Sequence, residues 1–187
     1  MKPFKQFVEE RNKKEAFIFQ GRFQPITKAH ATIILDAIRN NKNLEPFVIV
    51  VKGTKSGQDK KRNPFDIDTQ IDLIRKSTNN QVKYIEVTKS AFIEDLVNVV
   101  RDKGYEPVKM FAGSDRVVSY RDMIQRYKDD LGINIEVEEI KRTDEDISAT
   151  KVRNALLEDD FSTFERMTLN LDEKDFEKLQ KTLKEHN

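Results

Sequence analysis

Five short apolar runs recur along this chain, at residues 16–19, 47–51, 82–87, 108–112 and 133–137, and the gaps between them hold stretches whose apolar residues repeat at helical spacing. Residues 28–39 carry Ala31, Ile34, Leu35 and Ile38 in register, and 66–76 carry Ile67, Ile71 and Ile74. Residues 92–101 and 117–128 continue the pattern and stop near Gly104 and Gly132, where glycine can take the left-handed turn that ends a helix. A strand, a helix and a second strand in succession form a right-handed crossover, and repeated crossovers give a parallel sheet covered on both faces. The unbroken run 47–51 suits a strand with no solvent-facing side. We therefore expect an α/β fold: a five-stranded parallel sheet in the order 3-2-1-4-5 with helices on both faces. After Thr143 the strands stop, and 148–157, 161–167 and 173–184 read as helices that cap one end of the sheet.

The chain of 187 residues is expected to be one domain. Residues 1–15, with Phe4, Phe7 and Val8 on one side, read as an N-terminal helical arm; 16–147 are the Rossmann-like core and 148–187 the C-terminal helices. There is no cysteine, which excludes disulfides and thiolate metal sites and fits a reducing cytoplasm. No apolar run approaches the ~18–20 residues of a membrane span, and 1–15 is too charged for a secretory signal. A soluble, cytoplasmic protein with no membrane partner is expected. The 34 basic and 33 acidic residues nearly cancel, to +1. Such a balance gives no global field to hold nucleic acid, so none is expected as a partner and any anion site must be local.

In open parallel sheets ligands gather outside the carboxyl ends of the strands, which directs attention to the loops after strands one, two, four and five. After strand one comes Gly21-Arg22-Phe23-Gln24-Pro25-Ile26-Thr27-Lys28-Ala29-His30. Gly21 and Pro25 shape a tight turn, and Thr27 is a good N-cap for the helix that follows. The free N–H groups and dipole of a helix start favour phosphate. Thr27 and His30 lie three apart and share a helix face. After the last strand, Ser148 can cap a helix whose first turns carry Thr150, Lys151 and Arg153, so that hydroxyls, amides and two cations converge on an anion-sized spot. At the end of strand four, Gly113 permits close backbone approach and Asp115 can accept hydrogen bonds from a ribose or an amide; Ser114 or Asp115 can also cap the next helix. Between Lys52 and Pro64, Lys52, Lys55, Lys60, Lys61 and Arg62 stand against only Asp59, with Gly53 and Gly57 as points of freedom. That loop reads either as a lid over phosphates or as a solvated charged loop.

The first of these segments resembles the opening signature of the nucleotidyltransferase superfamily with the (H/T)-x-G-H motif, and Ile147-Ser148-Ala149-Thr150-Lys151-Val152-Arg153 resembles its late I-S-x-T-x-x-R signature. The lead-in Gly21-Arg22-Phe23-Gln24-Pro25, and Asn63-Pro64-Phe65, are similar to nicotinamide mononucleotide adenylyltransferases of the archaeal type; Gly113-Ser114-Asp115-Arg116 and the late signature also look like nucleotidyltransferase-like proteins of tailed phages. The resemblance spans about residues 16–157. Thr27 stands where the archaeal type usually has histidine, Ala29 where glycine is usual, and Gln70 where arginine is usual.

The resemblance implies transfer of AMP from ATP to nicotinamide mononucleotide, giving NAD and pyrophosphate, with the acceptor phosphate attacking the α-phosphorus in line. It implies that His30 meets the α-phosphate region, that Thr27 orients the phosphates, and that Arg153 with Lys151 holds the β- and γ-phosphates. Gly21, Arg22, Phe23, Gln24, Lys28, Gly113, Asp115, Ser148 and Thr150 complete the expected nucleotide site. Mg2+ is expected with ATP, held mainly by triphosphate oxygens and water, with no protein metal site. Cytidylyl transfer from CTP to a phosphorylated alcohol is the neighbouring alternative. A non-catalytic nucleotide sensor is the alternative from another class, motivated by Ala29 and Gln70. A homo-oligomer is compatible with all three.

Overall fold

The computed structural model describes residues 13–54, 58–141 and 147–187. Its strands are β1 (Lys14–Gly21), β2 (Glu45–Val51), β3 (Tyr84–Thr88), β4 (Tyr105–Gly113) and β5 (Glu136–Ile140). The helices are α1 (Lys28–Asn40), α2 (Ile67–Ser77), α3 (Ile93–Arg101), α4 (Val117–Leu131), α5 (Ala149–Leu157), α6 (Phe161–Met167) and α7 (Glu173–Glu185). All strand pairs are parallel, as the alternation of runs predicts, and the order is the expected β3-β2-β1-β4-β5. β1 lies at the centre, so the turn that leaves it opens at the switch point between the two halves of the sheet.

All five strands start away from the expected residue, β2 at Glu45 and β3 at Tyr84 among them, and three of the differences have a physical reason. β1 opens at Lys14, so Lys14 and Glu15 pair with Tyr105 and Glu106 in the sheet and are not part of an arm; the rest of the proposed arm, 1–12, lies outside the described residues. β4 begins at Tyr105 and runs through Pro107, and the register with β1 shifts between Ala16 and Phe17, where Pro107 pairs with Ala16 and Lys109 with Phe17. Proline has no N–H for the ladder, and a bulge lets a central strand carry it. The last strand is Glu136–Ile140 and not 133–137. Ile133 and Ile135 are buried in the core, but the pairing with β4 starts at Lys109 opposite Glu136. The alternation Ile133, Ile135, Val137 marks which residues face inward; the neighbouring strand decides where the ladder begins.

Two apolar clusters flank the sheet. Ala16, Ile18, Phe47, Ile49, Met110 and Ala112 pack against α3 and α4. On the other face Phe17, Phe19, Val48, Val50 and Phe111 pack against α1, α2 and the three C-terminal helices, which contribute Leu156, Phe164 and Leu179, all fully buried. Each such side chain adds roughly 1.5–3 kcal/mol by leaving water. The C-terminal helices thus share one continuous layer with α1 and α2. Lys76 on α2 bonds Asp175 on α7 at 2.6 Å, and Asp175 also closes a capping box with Asp172, so α7 is tied at its start to the core it covers.

Asp66, Asp160 and Asp172 cap α2, α6 and α7. Their carboxyls are held below the usual carboxylate range by hydrogen bonds from Thr69, Thr163 and Asp175 respectively. A carboxyl with a depressed folded-state pKa contributes stability that is present above its unfolded value, about 3.9, and is lost as pH falls through the folded value. We expect the melting temperature, followed by circular dichroism, to change little from pH 7 to about 5 and to fall below about pH 4. A variant with asparagine at all three positions keeps capping oxygens that cannot ionise, and should show a shallower acid limb. An unchanged limb would mean the caps add no pH-dependent stability.

Candidate active site

Gly21 ends β1, and the chain then reverses through a turn held from three sides. Phe23 has a left-handed backbone, with φ of 47°, which costs an L-residue about 1–2 kcal/mol. Its ring is 2% exposed and folds back over Gly21, where an added Cβ would stand 3.2 Å from the ring. A side chain here would need the ring to give way by a few tenths of an ångström. The ring lies near Phe19, with centroids 6.2 Å apart, and meets His30 edge-on at 5.4 Å. Gln70, 3% exposed on α2, donates from Nε2 to the carbonyls of Arg22 and Phe23. Gln24 pairs its side-chain amide with the backbone of Phe65, donating to the carbonyl at 2.9 Å and accepting the N–H at 3.0 Å. The Asn63-Pro64-Phe65 segment, buried throughout, thus serves as a backbone partner for the turn.

Thr27 caps α1 and forms a reciprocal box with His30. Its Oγ1 accepts the His30 N–H at 3.4 Å, and its own N–H donates to His30 Nδ1 at 3.2 Å. The Thr27 hydroxyl lies 3.1 Å from the same nitrogen. A ring nitrogen that accepts from a backbone N–H carries no proton itself, so the neutral imidazole bears its proton on Nε2. Helix capping and tautomer are set by the same contact. Thr27 is 2% exposed, its hydroxyl engaged at the helix start, while Arg22 and Lys28 are exposed and His30 is half-buried.

Ser148 caps α5 and accepts the Lys151 N–H at 3.2 Å. One turn on, Arg153 reaches back to the first signature. Its Nη1 donates to the Gln24 carbonyl at 2.6 Å across 129 residues of sequence, and Nη2 contacts Thr150 Oγ1 at 3.3 Å. Partial burial lowers the guanidinium's pKa. The two signature segments therefore meet at the carboxyl end of β1.

At the end of β4 the turn closes with the Arg116 N–H on the Gly113 carbonyl at 2.8 Å. Neither Ser114 nor Asp115 caps α4; the N-cap position is Arg116, with no side-chain capping bond. Asp115 is exposed, 3.9 Å from Arg116, and a Cβ at Gly113 would stand 2.8 Å from its Oδ1. The capping alternative for Asp115 is thereby removed.

A cavity of about 240 Å3 opens at the carboxyl ends of β1, β2 and β3. Gly21 and Arg22 line it, as do Lys89, Ser90 and Arg116. Its floor holds Gln20, which donates to the Tyr120 hydroxyl at 2.7 Å. The loop after β3 contributes Lys89 and Ser90, which no sequence motif marks. The same rule of strand carboxyl ends that selected the other loops would have found it. A larger, shallower depression of about 700 Å3 lies at the amino ends of β1, β4 and β5, lined by Glu15, Glu106 and Glu136 among others and by no signature residue. Of the basic loop, residues 55–57 lie outside the described residues; Asp59 pairs with Arg62 at 3.7 Å and accepts the Lys61 N–H.

Among the described residues, no group of three or more histidine, aspartate or glutamate side chains could hold a metal ion. Among them, too, no helix is long and apolar enough to cross a membrane.

The profile of the cytidylyltransferase-like family matches residues 18–155. No curated protein matches the sequence. Among solved structures, a bifunctional NMN adenylyltransferase/ADP ribose pyrophosphatase from Francisella tularensis, complexed with AMP and a manganese ion, is similar with a TM-score of 0.65 and 17% identity over 91% of this chain. The match takes in 49% of that protein, so the present chain spans about half its length. A nicotinic acid mononucleotide adenylyltransferase from Plasmodium falciparum, complexed with NaAD, is similar with a TM-score of 0.61 and 14% identity over 93% of this chain and 98% of its own. The same enzyme complexed with APC gives 0.59 and 16% over the same shares. The family match, running from within β1 into α5 and so through both signature segments, shows that this chain belongs to the cytidylyltransferase-like family of nucleotidyltransferases.

Proposed function

We propose that this protein transfers AMP from ATP to nicotinamide mononucleotide, releasing pyrophosphate. The observation that carries this is the junction of Arg153 with the Gln24 carbonyl, because it sets a guanidinium from the late signature beside the turn that opens the helix of His30. The names of the similar solved structures, adenylyltransferases acting on nicotinamide or nicotinic acid mononucleotide, support the choice of nucleotide and acceptor class.

In the proposed reaction an acceptor phosphate oxygen attacks the α-phosphorus of ATP. The new P–O bond forms as the bond to the oxygen bridging the α- and β-phosphorus breaks, and the electron pair leaves with pyrophosphate. The protein contributes no nucleophile; it supplies position and charge. His30, with its proton held on Nε2, donates to an α-phosphate oxygen as charge gathers there. Lys151 and Arg153 hold the β- and γ-phosphates. Thr27 acts through His30, and Phe23 and Gln24 act through the turn. Asp115, which caps nothing, accepts from the ribose. A divalent cation arriving with the triphosphate would be held by phosphate oxygens and water.

The test is pyrophosphate release measured with ATP or CTP, each alone and with nicotinamide mononucleotide, nicotinic acid mononucleotide or a phosphorylated alcohol. Release that needs both ATP and a pyridine mononucleotide is the expected outcome. Release with CTP and the phosphorylated alcohol would replace the adenylyl reading with the cytidylyl one. Nucleotide binding without release from any pair would identify a sensor.

A further inference from the structure

Gln70 occupies a position where the turn needs donors and a cation would bring something else. Its Nε2 carries two hydrogens, and it meets two acceptors, the carbonyls of Arg22 and Phe23. Because both neighbours are acceptors, the orientation of the amide is fixed: nitrogen toward the turn. The side chain is 3% exposed and reaches the turn from α2, 48 residues away in sequence. The carbonyls it holds flank the peptide that carries Phe23 into its left-handed conformation. Without Gln70 both carbonyls would lose this donor, at a turn whose backbone is already held in the left-handed region at Phe23.

The consequence reaches His30. The Phe23 ring has few places to go: Gly21 lies under it, Phe19 beside it at 6.2 Å, and the imidazole against its edge at 5.4 Å. On its other side the imidazole is held by Thr27 through Nδ1. The ring of His30 therefore stands between a capping bond and an aromatic wall, and the wall stands where Gln70 holds the backbone.

We propose that Gln70 is a positioning residue, which fixes the plane of the His30 imidazole, and so keeps its Nδ1 on the Thr27 N–H, by holding the carbonyls of Arg22 and Phe23. The proposal rests on the role given above to His30, but its first readout does not require any reaction. The experiment records the ring nitrogen signals of 15N-labelled histidine by NMR in the full chain, as parent, as Gln70→Met and as Phe23→Leu. Methionine nearly matches the volume and has no donor. Phe23→Leu keeps Gln70 and its acceptors but removes the aromatic wall.

The parent should show His30 Nδ1 as an acceptor and Nε2 as protonated at neutral pH, and both variants should move toward the averaged pattern of an unconstrained imidazole. Where ATP-dependent pyrophosphate release is present, kcat should fall about tenfold in each variant, with the KM for ATP held within about threefold, as expected when a reacting group is displaced and ground-state binding survives. If Gln70→Met does not fold, Gln70→Asn, whose amide is one methylene too short to reach both carbonyls, takes its place. Unchanged His30 signals in a folded variant would overturn the proposal. Absence of transfer in the parent would sink the proposed function while the His30 signals still decide the role of Gln70.

Discussion

His30→Ala is expected to lower turnover by about 2–4 kcal/mol in activation free energy, the usual cost of removing one preorganised donor from developing phosphoryl charge. The same substitution removes the acceptor for the Thr27 N–H and half of the capping box of α1, so some loss of stability, about 1 kcal/mol, comes with it. A second variant separates the two effects. His30→Gln places an amide oxygen where Nδ1 now accepts, in the pattern of capping boxes built from Thr and Gln. It should recover the melting temperature and leave turnover as low as alanine does. The measurements are thermal unfolding and steady-state pyrophosphate release on the parent and both variants. Turnover that returns with glutamine would show that an amide N–H serves at this position and that the imidazole is not needed.

Arg153 is expected to discriminate between triphosphate and monophosphate. Charge-assisted hydrogen bonds are worth about 1.5–3 kcal/mol, so Arg153→Ala should weaken ATP binding by roughly 10–100-fold and AMP binding much less. The contact with the Gln24 carbonyl complicates the simple expectation, because the variant also removes a scaffold bond from the turn. That loss falls on ATP and AMP alike, since both would rest against the same turn, and only the difference between them reports the β- and γ-phosphates. Arg153→Lys keeps the charge and loses the planar fork. It cannot serve Gln24 and a phosphate in the arginine's geometry, so its ATP affinity should fall between parent and alanine. Calorimetric titration of both nucleotides into the three proteins gives the answer. Equal losses for ATP and AMP would make Arg153 a tie between α5 and the turn, with no hold on the outer phosphates.

Two departures from the resembling families, Gln70 and Thr27, hold defined places at the turn after β1. Gln70 replaces a usual arginine, which on paper removes a cation from the site. In the structure it is buried beneath the turn and spends both amide hydrogens on backbone carbonyls. Its role in this structure is to hold the turn's backbone. Thr27, standing where histidine is usual, forms with His30 a reciprocal cap that fixes the tautomer.

Much of this was legible in one dimension because its causes are local. The period of the apolar runs announces which faces are buried, and five runs separated by helical stretches leave a parallel, doubly covered sheet as the consistent arrangement. The caps at Thr27 and Ser148 follow from side chains that reach an amide three residues on, a distance that any reader of the sequence can count. What only the tertiary structure decided are the contacts between distant segments. Gln24 with Phe65, Gln70 with Phe23 and Arg153 with Gln24 span 41, 47 and 129 residues, and nothing in the spacing of those residues announces them. The start of β5 belongs with them, since a strand's ladder begins where its neighbour offers hydrogen bonds and not where its own alternation begins. Propensity and periodicity act within a turn or two of chain; a buried amide finds its acceptor only after the sheet has brought the two together.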